Sequence, residues 1–126
     1  MTSPGLWVGL AGAGAVGAVA RYVVDRAVSA RASGDLPRGT LVINLSGSLV
    51  LGLITGAALY HAFPSTPRVI VGTGFCGAFT TFSTFTFETV RLLEEGEVGD
   101  AAVNLVVSVV GATLAAALGI ALMALV

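Results

Sequence analysis

Residues 72–88, GTGFCGAFTTFSTFTFE, place glycines, hydroxyl side chains and phenylalanines close together in a pattern suited to binding an ion. Three glycines (Gly72, Gly74, Gly77) occur within six positions, and five hydroxyl residues follow within seven: Thr80, Thr81, Ser83, Thr84 and Thr86. Glycine permits non-helical torsions, and Ser and Thr are preferred where a helix begins. The pattern therefore predicts a half-helix, an unwound turn near residues 76–80, and a second half-helix from about residue 81.

Four of the six phenylalanines are interleaved with these hydroxyls, namely Phe79, Phe82, Phe85 and Phe87. Phe82 and Phe85 are three apart and share one face of a helix. An aromatic ring is positive at its edge, so ring edges can face a small anion. Such a pair usually packs in a hydrophobic core. The neighbouring hydroxyls make contact with an anion a second interpretation.

Four long apolar stretches carry these residues, at about 5–24, 39–60, 69–93 and 101–126. Apolar residues make up 56% of the chain and charged residues 10%, whereas an ordinary soluble domain is about 25% charged. A bilayer core requires roughly 20 helical residues, and each stretch is long enough. The sequence predicts an all-α membrane protein with a single four-helix transmembrane domain over residues 1–126, in the cell membrane.

The glycine- and hydroxyl-rich turn would then lie in mid-membrane. Unwound backbone is tolerated there only where protein or water satisfies the freed groups. Free carbonyls bind cations, a helix N-terminus attracts anions, and broken helices mark ion or substrate sites in transport proteins. A glycine kink used only for packing is the alternative, but it does not need three glycines followed by five hydroxyls.

Several classes of site are disfavoured by what the sequence contains. Cys76 and His61 are single, which argues against a disulfide framework and most metal sites; Cys76 is predicted to be a small packing residue. The net charge of −1, without lysine, does not indicate nucleic acid. Residues 12–17 and 72–77 match G-x-G-x-x-G, but both lie in spans where no βαβ unit can form. The absence of a nucleophile–base–acid set argues against an enzyme.

Small and polar residues recur at helical spacing in three spans. In the first span the recurring residues are Gly5, Gly9, Ala13 and Gly17, followed by Arg21. In the second span they are Thr40, Asn44, Ser48, Gly52 and Gly56. In the fourth span they are Asn104, Ser108, Gly111 or Ala112, Ala115 and Gly119. Small residues let helices approach closely in lipid, while the polar half of the second stripe fits either a bond between helices or the lining of a wet path.

The connections between spans differ in charge. Residues 25–38 and the end of the third span carry Arg26, Arg31, Arg38 and Arg91, whereas residues 61–68 on the opposite side carry only Arg68. The positive-inside rule places the first group in the cytoplasm. The margin is modest, and a chain with weak bias can insert in both orientations.

Three segments together resemble the CrcB/Fluc fluoride channel family. They are GFCGAFTTFSTFTFE at 74–88, GAVGAVARY at 14–22 and GTLVINLSGSLVLGLITG at 39–56. The resemblance extends over the whole chain, and its TTFSTF core is specific. It implies a fluoride-selective channel that passively exports fluoride from the cytoplasm and gives fluoride resistance.

The resemblance also implies an assembly and a set of site residues. Such proteins form antiparallel, dual-topology dimers with a structural sodium ion at the interface, whose ligands match the backbone carbonyls of Gly77 and Thr80. The fluoride path matches Asn44, Phe82 and Phe85, with Thr40, Ser83, Thr84, Thr86 and Ser108 on or beside it. Arg21 and Glu88 match accessory positions. Ala78, Phe79 and Asn104 depart from the usual pattern.

Two questions of partner and function accompany these expectations. The preferred partner is a second copy of this chain, and the arginine bias keeps an opposed paralogue as the alternative. The rival functions are a proton-coupled small exporter of dual topology and a non-transporting assembly subunit. The exporter would need a carboxylate deep in a span, and Glu88 is the only intramembrane candidate.

Overall fold

The computed structural model describes residues 3–126, and all regular structure in that range is helical. Four helices are long and apolar enough to cross a membrane: Pro4–Ser29, Arg38–Tyr60, Ser65–Glu94 and Val98–Leu125. These bounds match the four predicted stretches to within a few residues, so the prediction of four membrane-spanning helices is confirmed. Both G-x-G-x-x-G segments are helical, which agrees with rejecting a nucleotide site.

Local residue types explain where the helices begin and end. Ser3 precedes the first helix, and its side chain accepts a hydrogen bond from the backbone N–H of Leu6, which is an N-cap. Gly34 (φ 86°) and Gly96 (φ 83°) turn the chain before the second and fourth helices. Both torsions are left-handed and favour glycine. The connections between the four helices are short, at residues 30–37, 61–64 and 95–97.

The third helix is irregular in two ways. Its first part consists of Ser65–Val69 (α), Ile70–Cys76 (π) and Gly77–Phe79 (α), and its second part is Phe82–Glu94. Between them, Thr80 (φ −75°, ψ 161°) and Thr81 (φ −150°, ψ 120°) have extended torsions.

The unwound turn predicted near residues 76–80 therefore overlaps the extended pair only at Thr80, because residues 76–79 are helical. Gly74 serves close approach instead of unwinding, whereas a Cβ on Gly77 would meet nothing within 4 Å. A Cβ on Gly74 would lie 3.1 Å from the backbone oxygen of Leu10 and 3.0 Å from the Ala13 methyl group. The extended residues are the two threonines that follow the glycines.

Glycine contacts hold the helices together. A Cβ on Gly52 would collide with the backbone of Ala116, and a Cβ on Gly119 would lie 2.6 Å from the oxygen of Leu49. Gly17 meets the backbone of Phe75 in the same manner. The stripes of small residues are thus packing surfaces, as close approach in lipid requires. Gly5 is an exception, with only the Ser3 hydroxyl oxygen within 4 Å.

The interior is small and partly polar. Cys76 is 1% exposed and has no disulfide partner. Four polar residues are also buried: Thr40, Thr81, Asn104 and Ser108. Large apolar side chains cover much of the outside, including those of Trp7, Leu59, Leu114 and Leu118. A soluble monomer rarely exposes so much contiguous apolar surface, so the exterior fits lipid.

Candidate functional site

A cavity of about 410 Å³ lies between the second, third and fourth helices, beside the two extended threonines. Its polar side chains belong to Asn44, Ser48, Thr80, Thr81, Ser108 and Thr113. The rings of Phe82 and Phe85 and the backbone of Gly77 complete the wall. The structure thus brings together six of the residues selected from the sequence, namely Asn44, Gly77, Thr80, Phe82, Phe85 and Ser108.

Asn44 holds the extended backbone of Thr81 by two hydrogen bonds. Its Nδ2 donates to the Thr81 carbonyl at 2.9 Å, and its Oδ1 accepts from the Thr81 N–H at 2.8 Å. These bonds replace the helical partners that an extended residue lacks, as buried backbone groups require. One Nδ2 hydrogen remains available, because a primary amide has two.

Thr81 in turn starts the second part of the third helix. Its Oγ1 accepts from the Thr84 N–H at 3.2 Å and contacts the Thr84 hydroxyl at 3.0 Å. This is the geometry of an N-cap. The sequence pattern placed Thr81 among the hydroxyls of the predicted turn, with a helix beginning at about residue 81, but gave it no role in the site. Its role as an N-cap could be predicted from the sequence, because Thr is preferred at the position directly before a helix.

Thr80 connects the site to the first helix. Its hydroxyl donates to the Cys76 carbonyl at 2.9 Å, and its own carbonyl accepts from Arg21 Nη1 at 3.3 Å. Gly47 leaves room for the Thr80 methyl group, which a Cβ there would strike. Arg21 therefore points toward the extended segment, and its guanidinium does not simply reach out to solvent.

The two phenylalanine rings are adjacent but differ in exposure. Their centroids lie 5.6 Å apart with the planes tilted by 58°, an edge-to-face tendency that aromatic pairs favour. Phe85 is 6% exposed, whereas Phe82 is 76% exposed in the single chain. The pair therefore spans from the interior of the bundle to its surface.

The fourth helix contributes two buried polar groups. Ser108 lies in the π-helical segment Val107–Gly111, lines the cavity, and has no hydrogen-bond partner for its Oγ among residues 3–126. Asn104 is 0% exposed, and its Nδ2 donates to Thr89 Oγ1 at 2.8 Å. The Thr89 hydroxyl donates to the Phe85 carbonyl at 2.8 Å. Thr89 was not selected from the sequence.

The remaining predicted residues lie elsewhere. Ser83, Thr84 and Thr40 line a second cavity of about 360 Å³, together with Arg21 and Asp25. Thr40 also donates to Glu88 Oε1 at 2.9 Å. Thr86 is exposed and donates to the Phe82 carbonyl within its own helix. The hydroxyl-rich segment is thus divided between two helix faces.

Comparison with known proteins decides the family. Residues 6–120 match the family described as CrcB-like protein, Camphor Resistance (CrcB). This chain belongs to the CrcB family. Its four apolar helices make it a multi-pass membrane protein, as the channel relatives below also indicate.

Relatives of this CrcB chain match it over most of their length. The fluoride-specific ion channel FluC 2 of Mycolicibacterium paratuberculosis is 50% identical over 119 residues, which cover 94% of each chain. FluC 2 of Mycobacterium bovis is 44% identical over 90% of this chain and 87% of its own. FluC 1 of Nocardia farcinica is 50% identical over 82% of this chain and 72% of its own.

Proposed function

We propose that this chain forms a fluoride-selective channel through which fluoride leaves the cytoplasm passively. The observation that carries the proposal is the cavity joining Asn44, Ser108, Phe82 and Phe85 next to extended backbone. It lies in a CrcB chain whose curated relatives are named fluoride-specific ion channels.

The wall of the cavity suits a small, strongly hydrated anion. The Ser108 hydroxyl and the second Nδ2 hydrogen of Asn44 are donors without a partner among residues 3–126. The edges of the Phe82 and Phe85 rings add weak positive potential. Donors placed in succession replace the water around an ion as it moves. Thr81 is occupied as a cap and contributes structure.

The direction of transport follows from electrostatics. Neutral hydrogen fluoride crosses lipid and ionises in a cytoplasm of higher pH, and the resulting anion is too poorly solvated by hydrocarbon to return. A membrane potential that is negative inside drives an anion outward with about 2.3 kcal/mol per charge for each 100 mV. A passive pore therefore suffices to lower cytoplasmic fluoride and give resistance.

The pore would be completed by a second subunit inserted in the opposite orientation. Phe82 is largely exposed in the single chain, and a Cβ on Gly77 would meet nothing within 4 Å. Both residues lie at the cavity, so a crossing third helix from a partner would cover them. The partner is a second copy of this chain, and an opposed paralogue is the alternative that the arginine imbalance keeps open.

A sodium ion fits the break in the third helix. The Gly77 carbonyl would ordinarily accept from the Thr81 N–H, which donates to Asn44 instead. The Thr80 carbonyl lies at an extended residue and retains one lone pair beside its bond to Arg21. Carbonyl oxygens suit a hard cation, and such an ion would offset the cost of placing an anion nearby. Gly77 and Thr80 are the residues that would hold it, at the subunit interface.

Fluoride efflux from liposomes tests the function. Purified protein is reconstituted with potassium fluoride inside, a potassium ionophore is added, and external fluoride is followed with an electrode. We expect rapid release of fluoride and almost none of chloride from matched vesicles. Equal release of both ions, or of neither, would contradict the proposal. Efflux that stops without a proton gradient would favour the proton-coupled exporter.

A further inference from the structure

A basic groove lies between the end of the first helix and the start of the second. It measures about 300 Å³ and is lined by Ala27, Val28, Arg31, Ala32 and Arg38. Three of these side chains are small or apolar, and the other two are arginines. The groove shares no lining residue with either of the cavities described above.

Arg31 and Arg38 form no salt bridge with a carboxylate in the described part of the chain. The salt bridge within residues 3–126 joins Arg91 and Glu95. Arg31 donates one hydrogen bond from Nη1 to the Ala27 carbonyl at 2.8 Å, which holds its guanidinium over the groove. Because a guanidinium has five N–H donors, most of them remain free. Both side chains are exposed.

The groove is at the depth of lipid headgroups. Ala27 lies three residues beyond the end of the first apolar stretch, about 4.5 Å along the helix, and Arg38 directly precedes the second stretch. Tyr22 lies one helical turn before Arg26 and is 64% exposed, and the Arg26 guanidinium is 5.9 Å from the centroid of its ring. An exposed tyrosine followed by arginines is typical of a membrane–water boundary.

We propose that this groove binds the phosphate of an anionic phospholipid. The Arg31 and Arg38 guanidiniums would hold the phosphate oxygens, for which their fork of donors is suited. The glycerol and the first acyl carbons would lie on Ala27, Val28 and Ala32. Basic pockets between membrane helices bind acidic headgroups in this manner. The proposal does not rest on fluoride conduction.

Native mass spectrometry of the purified protein in detergent gives a direct test, since insertion orientation plays no part there. Protein is titrated with phosphatidylglycerol, with phosphatidylcholine and with glycerol 3-phosphate. We expect phosphatidylglycerol to bind most tightly and the double variant Arg31→Gln/Arg38→Gln to bind it about tenfold more weakly. Arg68→Gln removes a like charge at the other end of the molecule, and it should bind as the unaltered protein does.

Each other outcome would overturn the proposal. Equal binding of phosphatidylglycerol by the double variant and by Arg68→Gln would mean that the groove is not the site. Equal binding of phosphatidylcholine would remove the need for net negative charge. Equally tight glycerol 3-phosphate would assign the groove to a soluble phosphate. The variants count as folded if they elute from a size-exclusion column as the unaltered protein does and have the same circular dichroism spectrum.

Discussion

Asn44 and Thr81 exchange two hydrogen bonds, so that one side chain of the second helix satisfies both backbone groups of an extended residue in the third. The distances are 2.9 and 2.8 Å. Asn44 also lines the cavity, and its amide has one further hydrogen. Asn44 thereby combines two tasks, since it stabilises the extended backbone and offers a donor beside it.

Asn44→Ala should lower both fluoride flux and stability. It leaves the Thr81 N–H and carbonyl without their partner, at a cost of about 1–3 kcal/mol for each buried group. Flux is measured in liposomes and stability by thermal unfolding in detergent. Ser46→Ala is the control, because Ser46 bonds only to carbonyls of its own helix. An Asn44→Ala protein with normal flux would show that the cavity is not the pore.

The two phenylalanines should separate conduction from folding. Phe85 is buried, so Phe85→Ala should lower stability by about 3–5 kcal/mol as well as reduce flux. Phe82 is 76% exposed in the single chain, so Phe82→Ala should reduce flux while the fold and the dimer persist.

Phe87→Ala is the matched control for this pair. Phe87 is 67% exposed and lines neither cavity at the site. If Phe87→Ala lowered flux as much as Phe82→Ala, the effect would reflect the exposed aromatic surface in general and not the pore wall.

The bond between Asn104 and Thr89 predicts an unusual double-mutant result. Thr89→Val should destabilise the protein by about 1–3 kcal/mol, because it removes the hydrogen-bond partner of a buried amide. Adding Asn104→Leu replaces that amide by an apolar group and should recover part of the loss. The coupling energy, about 0.5–3 kcal/mol for such contacts, is obtained from unfolding of the four proteins.

Thr55→Val serves as the control for that cycle. Thr55 donates to the carbonyl four residues before it, as Thr89 does, but it has no side-chain partner in another helix. Its combination with Asn104→Leu should be additive. Additive behaviour of the Thr89 pair itself would contradict the proposed contact.

Two glycine-to-alanine changes should have opposite outcomes. Gly119→Ala places a methyl group 2.6 Å from the Leu49 oxygen and should destabilise the protein by about 1–3 kcal/mol. A Cβ at Gly12 would meet nothing within 4 Å, so Gly12→Ala should be neutral or stabilising by about 0.5–1 kcal/mol. Thermal unfolding compares the two, and equal destabilisation would contradict the packing described here.

Sodium should stabilise the assembled protein. A bound ion adds stability that increases with the logarithm of its concentration. The unfolding temperature should therefore rise with sodium chloride more than with N-methyl-D-glucamine chloride at the same ionic strength. Equal curves for the two salts would contradict a sodium site at Gly77 and Thr80.

Helical periodicity allowed much of the architecture to be predicted. The four spans and the stripe from Thr40 to Gly56 follow from residue type and spacing, and the structure places the stripe's glycines against the fourth helix. Asn44 and the phenylalanine pair could be selected because polar and aromatic groups in apolar spans are conspicuous. Helical spacing places these side chains on the faces of the second and third helices that meet at the cavity.

The extended backbone and the Asn104 contact could not be located from sequence. Glycine permits both an unwound turn and a tight helix contact, and only the approach of Leu10 and Ala13 from the first helix decides for the second at Gly74. Thr89 and Asn104 lie 15 residues apart on different helices, so tertiary packing alone brings them together. Ser83 and Thr84 resemble the cavity hydroxyls in type but face another side.

The groups that an added Cβ would strike differ among the glycines. That difference decides whether a second mutation elsewhere can suppress a glycine-to-alanine substitution. A Cβ on Gly9 would meet the flexible end of the Ile70 side chain, so a Gly9→Ala lesion can be relieved by a smaller residue at position 70. The obstacles at Gly17 and Gly119 are backbone atoms, which every sequence retains. Selection for revertants should accordingly yield second-site suppressors for Gly9→Ala, but only true reversion for Gly17→Ala and Gly119→Ala.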